Sequence, residues 1–188
     1  VDTLAENIYF SSYNPDFPAF DYYAFNTVDS TYKYLQYIVH DYHMEMFRAE
    51  YKYMSGRDKL MAFRKELEMG IDKEIIAGFM TGYSNSLNYK PLYAPLFVIK
   101  DTVMIFDHYS GQLFKYNPAN EPLDSIPIDY FNTKKRSEWR QKLLKDEVTD
   151  KIYAVFQRIG TTYLKEISTE TGNLIGENQL YYRYVEKT

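Results

Sequence analysis

The chain has no cysteine, which removes disulfides, thiolate nucleophiles and cysteine-based zinc sites in one step. That absence leaves the compartment open, because a secreted domain of this size can fold without cross-links. An excess of positive charge is also missing. Lys and Arg number 22 against 26 Asp and Glu, giving a net charge of −4, whereas a nucleic-acid binder carries a strongly basic face. Nucleic acid is therefore excluded as a partner class. No apolar run approaches the ~20 residues needed to cross a bilayer. The sequence contains no glycine-rich phosphate loop, no nucleophile elbow and no Ser/His/Asp spacing. His40-Asp41-Tyr42-His43 lacks the His-Glu-x-x-His pattern of a zinc protease. No motif specifies a reaction.

What the chain does have is aromatic surface. Tyr occurs 21 times and Phe 12 times beside a single Trp, and Tyr suits a half-buried β surface because its ring packs while its hydroxyl stays wet. With 45% apolar and 26% charged residues over 188 positions, the composition is that of a globular domain with a real core. The sequence begins at Val1 with neither an initiator Met nor a signal-like segment. The expectation is a processed or excised chain. Leu180 to Val185 is an apolar stretch without a stop signal: either it closes the sheet of a single domain against the N-terminal strand, or, as preferred, the chain is a fragment of a larger protein.

Val1 to Ser30 reads as a short strand over Leu4 to Phe10 followed by an extended segment, because Pro15 and Pro18 push the residues before them out of the helical region. Its rings would pack onto a sheet. Thr31 to Met54 is ambiguous by periodicity: Tyr34, Ile38, Tyr42 and Met46 recur at helical spacing, yet the residue types are strand-formers. A hairpin over 31–54 is the reading adopted. Over 55–82 the pattern is helical, with Leu60, Phe63, Leu67 and Ile71 on one face. Ser55 or Asp58 caps its start, Gly70 ends it, and Asp72 to Gly82 frames a second helix.

Pro95 to Asn117 holds apolar runs separated by the turns Lys100-Asp101 and Tyr109-Ser110-Gly111. With a fourth strand over Ser125 to Tyr130, it makes a four-strand antiparallel meander over 95–131, the size of one propeller blade. Thr133 to Lys145 carries Lys134, Lys135, Arg136, Arg140, Lys142 and Lys145 beside Trp139, Leu143 and Leu144. It reads as a short connecting helix with a wet basic face. A further blade is expected over 142–185, with strands at Lys151 to Arg158, Thr161 to Ser168 and Leu174 to Tyr184.

The run Ile105 to Lys115 aligns with Val155 to Lys165 fifty residues on, Phe106 matching Phe156 and Lys115 matching Lys165. A third copy, Ile38 to Arg48, lies sixty-seven residues before the first, and the helical segment between them accounts for the longer offset. The shared form is two apolar residues, a turn, then two apolar residues and a cation.

Ile105 to Asn117 and Lys151 to Gly172 resemble blades of the six-bladed β-propeller proteins exported by Bacteroidetes, many of them lipoproteins. The resemblance covers Leu96 to Val185 and, more faintly, Leu35 to Met54. It implies a mainly β fold of antiparallel four-stranded propeller-like blades with an αα insertion, and the preferred reading of the chain as a fragment then makes it part of a larger propeller. It also implies an extracytoplasmic location, in the periplasm or at the cell surface, with any membrane anchoring left to a removed lipoprotein signal. It implies no activity.

The candidate site residues are His40, Asp41 and His43 in one segment and Asp107, His108 and Tyr109 in the other. If both are equivalent hairpin turns, they face one side of the sheet array and offer imidazoles and carboxylates for a metal or for acid–base work. Against this stands the plain reading, in which Asp holds a turn through backbone hydrogen bonds and His and Tyr are half-buried. No metal and no cofactor is assigned. The function read from the sequence is a non-catalytic binding or scaffolding module recognising a protein or glycan through exposed tyrosines. The alternative is a carbohydrate-active hydrolase or lyase using paired carboxylates, drawn from Asp124, Asp129, Asp146, Glu147 and Asp150, with these histidines.

Overall fold

In a computed structural model, which describes residues 2–132 and 138–180, twelve strands form three four-stranded sheets. In chain order, three helices follow the first sheet and precede the second. The fold is mainly β, with antiparallel blade-like sheets and a helical insertion. Two compact units are present: residues 8–92, and residues 2–7 together with the described residues from Tyr93 on.

The first sheet runs β1 (Asp2–Leu4), β2 (Asn7–Ser11), β3 (Ala19–Asn26) and β4 (Tyr32–Val39), in that spatial order. The strand expected over Leu4 to Phe10 is broken at Ala5, whose φ of 51° opens a turn between β1 and β2. The prolines terminate strands here and do not prevent a sheet, since Pro15 and Pro18 lie between β2 and β3. Along β3 the side chains alternate. Phe20, Tyr22 and Ala24 are buried, whereas Asp21, Tyr23 and Phe25 are partly exposed. Opposite them on β4, Leu35 and Ile38 are buried and Tyr32, Tyr34 and Tyr37 are exposed. A register shift between Tyr22 and Tyr23 leaves Leu35 as the extra residue of β4, so the pattern holds across the bulge.

The hairpin reading of 31–54 is corrected by the structure. Tyr32–Val39 is β4, but Asp41–Tyr53 is a helix, α1. Its start is signalled by His40, which adopts extended backbone and accepts the His43 amide at Nδ1, and by Asp41 in the first turn. The mixed periodicity of this stretch reflects one strand and one helix set end to end. The third repeat copy, Ile38 to Arg48, therefore crosses a strand end and a helix start and is not a hairpin.

The αα unit is present as α2 (Gly56–Met69) and α3 (Lys73–Thr81). Ser55 accepts the Asp58 amide, Asp72 accepts that of Glu74, and Gly70 and Gly82 close the two helices at φ 67° and 77°. These are local cap chemistries that the sequence carries by itself. α3 packs against both α1 and α2. Gly78 lies so close to the fully buried ring of Phe47 that a β-carbon there would overlap Phe47 Cε1 and Cδ1. The expected apolar face of α2 is not its buried face. Leu60, Phe63 and Leu67 are exposed, and Ala62 is the helix's buried residue.

In the second unit, β5 (Leu96–Ile99), β6 (Thr102–Asp107), β7 (Gln112–Tyr116) and β8 (Pro122–Pro127) form the meander expected over 95–131. Its last strand begins earlier than Ser125, pairing Ile126 with Leu113 and Asp124 with Lys115. The third sheet consists of β9 (Trp139–Asp146), β10 (Lys151–Arg158), β11 (Thr161–Ile167) and β12 (Leu174–Leu180). The connecting helix expected over 133–145 is replaced from Trp139 on by β9, whose Leu143 is buried opposite Ala154. Lys134, Lys135, Arg136 and the segment 181–188 lie outside the described residues.

The repeat survives in its other two copies, down to register. Phe106 pairs with Leu113, and fifty residues later Phe156 pairs with Tyr163; likewise Met104 with Lys115 and Ala154 with Lys165. Met104, Phe106 and Leu113 share one core with Leu143, Ile152, Ala154 and Phe156. Gly172, at φ 73°, presses the β11–β12 turn against the Pro127 carbonyl, leaving no room for a β-carbon.

Candidate functional site

The six residues singled out from the sequence fall into two separate constellations. His40, Asp41 and His43 belong to the first unit and Asp107, His108 and Tyr109 to the second. Only the second lies in a hairpin turn, so the premise that placed both on one face does not hold.

Asp107 ends β6 and is buried. Its Oδ1 accepts the amides of Tyr109 at 2.9 Å and Ser110 at 3.2 Å, and its Oδ2 accepts the Ser110 hydroxyl at 2.6 Å. This is the work of a turn-forming aspartate. Tyr109 reaches back and accepts the Tyr93 amide at its hydroxyl, 2.6 Å away. His108 contacts the Tyr93 carbonyl through Nδ1 at 2.9 Å and the Tyr130 hydroxyl through Nε2 at 2.6 Å. A carbonyl only accepts, so Nδ1 carries the proton and Nε2 accepts from Tyr130. Tyr93 stacks on the imidazole, and Phe131 and Trp139 close around it. Burial holds the His108 pKa at about 4, partly offset by the bond to Tyr93. Burial likewise pushes the Tyr130 hydroxyl far up. The neutral imidazole has both nitrogens committed and ties the Tyr93 loop to the segment after β8.

In the first unit, the rings of His40 and His43 lie 4.2 Å apart, and His43 Nδ1 is 3.3 Å from the Tyr83 hydroxyl. His43 is buried against Tyr89 as well. Burial, and then the neighbouring His40, lower its pKa to about 4. His40 is also lowered, chiefly by burial. Asp41 is exposed in the first turn of α1. Among the described residues, no group of three or more His, Asp or Glu is placed to hold a metal ion.

More accessible chemistry is gathered by residues outside the six His, Asp and Tyr positions singled out from the sequence. On the outward side of β2, β3 and β4 lie Phe10, Tyr23, Phe25, Tyr32, Tyr34 and Tyr37, with Asp21 among them. Phe10 stacks on Tyr23 at 5.7 Å and meets Tyr32 edge-on at 6.1 Å. Phe25 and Tyr32 are 4.8 Å apart, and Tyr23 and Tyr34 6.0 Å. Despite these contacts Tyr32 remains 69% exposed and Tyr34 54%. The rings brace each other without being covered, which is unusual for large aromatic side chains. Asp21 pairs across the strands with Tyr37 and lies two residues from Tyr23 on the same side of β3. Desolvation and then the charge of Asp21 raise the pKa values of Tyr23, Tyr34 and Tyr37, so these hydroxyls stay protonated. The signal was legible as period-two alternation of Tyr and Phe over Asp21 to Phe25 and Tyr32 to Tyr34.

Compared with protein-family models, with curated proteins and with solved structures, the chain matches none.

Proposed function

We propose that the chain is a non-catalytic binding module and that its contact surface is the tyrosine face of the first sheet, which recognises a protein or a glycan. One observation carries this reading: six aromatic side chains share one face of β2, β3 and β4, and the three tyrosines of β4 on it are exposed. Large aromatic rings contribute much contact area at low entropic cost, and their hydroxyls supply hydrogen bonds at a wet interface. The hydrolase alternative draws no support from the carboxylates described. Asp146 holds its own turn through the Val148 amide and the Thr149 hydroxyl, and Glu147 is paired with Lys145 at 2.8 Å.

The test compares Tyr32→Ser/Tyr34→Ser with the control Leu123→Ser, an exposed apolar residue of the second sheet. Both variants and the parent are screened on one array of peptides and one of oligosaccharides. The reading expects the control to keep the parent's signals and the tyrosine variant to lose them. If the tyrosine variant keeps every signal, the face is not the contact surface.

The resemblance to exported propeller proteins extends this reading. The sheets of 95–131 and 142–180 are proposed as blades of such a propeller, supported by their shared register. Fractionation of the producing cells then finds the protein in the periplasm or at the cell surface; recovery from the cytosol would count against it.

A further inference from the structure

The tyrosine face carries a carboxylate, Asp21, at the end where it pairs with Tyr37, and the charges around it select what it holds. Asp21 stands directly opposite Tyr37 and two residues along β3 from Tyr23, which in turn faces Tyr34. The carboxylate thus shares the outward side with all three rings, and its charge contributes to raising the pKa of each hydroxyl. Tyr37 also lies in the field of Asp72 and Asp41. The cation acting on Tyr37 is Arg48, and its Nε already donates to Glu74 at 3.2 Å. Three carboxylates thus bear on this end of the face, and the guanidinium near them is engaged by a fourth.

Tyrosine rings present an electron-rich surface that attracts a cation, and a carboxylate at their edge adds to the attraction. A guanidinium suits this arrangement, since its plane stacks on an aromatic face while its fork of N–H donors meets a carboxylate. An anionic ligand is repelled by the same charges. A neutral sugar gains ring stacking and hydroxyl hydrogen bonds to a carboxylate, but no charge attraction to the carboxylates gathered here. Resting on the reading of this face as the contact surface, we propose that its occupant is a basic protein segment, whose arginine pairs with Asp21 and lies across the rings of Tyr23, Tyr34 and Tyr37.

Three probes test this by titration into labelled protein, followed at the amides of β3 and β4 by NMR. They are an acetylated, amidated Gly-Arg-Gly-Arg-Gly-Gly peptide, the same peptide with the neutral isostere citrulline for arginine, and a linear glucose hexamer. The arginine peptide is expected to shift these amides, more weakly at higher salt. Its affinity is expected to fall about tenfold with citrulline and about tenfold in Asp21→Asn, whose isosteric side chain removes the charge while keeping the shape. Glu170→Gln, which removes an acid from the β11–β12 turn, is expected to bind as the parent does. Equal binding of the two peptides, or unchanged binding by Asp21→Asn, overturns the proposal. So does a response to the glucose hexamer alone, an outcome that removes the basic occupant while leaving the face as a contact surface. Silence at β3 and β4 with all three probes also overturns it, and the array comparison then decides separately whether the face binds anything.

Discussion

His108 accepts at Nε2 the hydroxyl proton of Tyr130 across 2.6 Å, and both residues are buried. With Nδ1–H held by the Tyr93 carbonyl, the site fits the neutral imidazole and opposes the second proton. The folded pKa of about 4 lies below the ordinary value of about 6.5 for an unfolded chain. The unfolded state therefore binds more protons in that interval. The contribution of His108 is full above pH ~6.5 and is lost as the pH falls toward 4, reaching about 3 kcal/mol. His43 has the same sign, with burial again the leading cause. Urea unfolding between pH 7 and 4 should show this loss, and His108→Gln should remove its own share of the slope while the part due to His43 remains. Stability that rises as the pH falls would contradict the assignment.

Two glycines in equivalent backbone conformations should respond differently to a methyl group. Gly160 has φ 76° and open space around it, whereas Gly172 has φ 73° and faces the Pro127 carbonyl. Gly160→Ala carries only the left-handed strain, about 1 kcal/mol. Gly172→Ala adds a backbone clash and is expected to cost at least ~1 kcal/mol more. Denaturant midpoints of the two variants compare them directly; equal midpoints would mean that the β11–β12 turn does not rest on Pro127.

The helical segment has its own close contact. Gly78→Ala forces the buried Phe47 ring to move and is expected to destabilise by about 1–3 kcal/mol. Adding Phe47→Leu should recover part of that loss, because the smaller side chain yields the space, so the two changes couple in a double-mutant cycle. Strict additivity would show that the two residues do not touch.

How much of this was legible in the sequence follows from how local each signal is. Ser55, Gly70, Asp72 and Gly82 act within one turn of chain, and the four helix ends they mark are where the sequence places them. The hairpins around Asp107 to Gly111 and Ile159-Gly160 were legible for the same reason, since turn chemistry and alternating apolar residues coincide there. Tyr32 to Tyr53 was not. A strand and a helix abut at His40, and their combined spacing imitates either period. His108 and Tyr130 were also out of reach, because a hydrogen bond spanning twenty-two residues leaves no trace in local pattern. The buried imidazole belongs to the core, whereas exposed tyrosines were expected from the sequence without the positions that carry them, Tyr32, Tyr34 and Tyr37.

Helical periodicity misleads in a testable way at Leu67. Its spacing with Leu60 and Phe63 marks a core face, yet it is 71% exposed. Leu67→Ser is expected to change stability by no more than ~0.5 kcal/mol, as measured by thermal or urea unfolding. A loss of about 2 kcal/mol or more, typical of a buried leucine, would place that side of α2 in the core.

The central claim is that the tyrosine face makes the contact, and residue-resolved tyrosine labelling with and without the strongest array ligand tests it most directly. Tyr32, Tyr34 and Tyr37 are exposed, whereas Tyr9 and Tyr22 are buried on the inner side of the same sheet. The account expects the first three to be labelled in the free protein and protected when the ligand is bound, with Tyr9 and Tyr22 unlabelled in both states. Full labelling of Tyr32, Tyr34 and Tyr37 in the complex, with protection instead at Tyr53 at the end of α1, would contradict it.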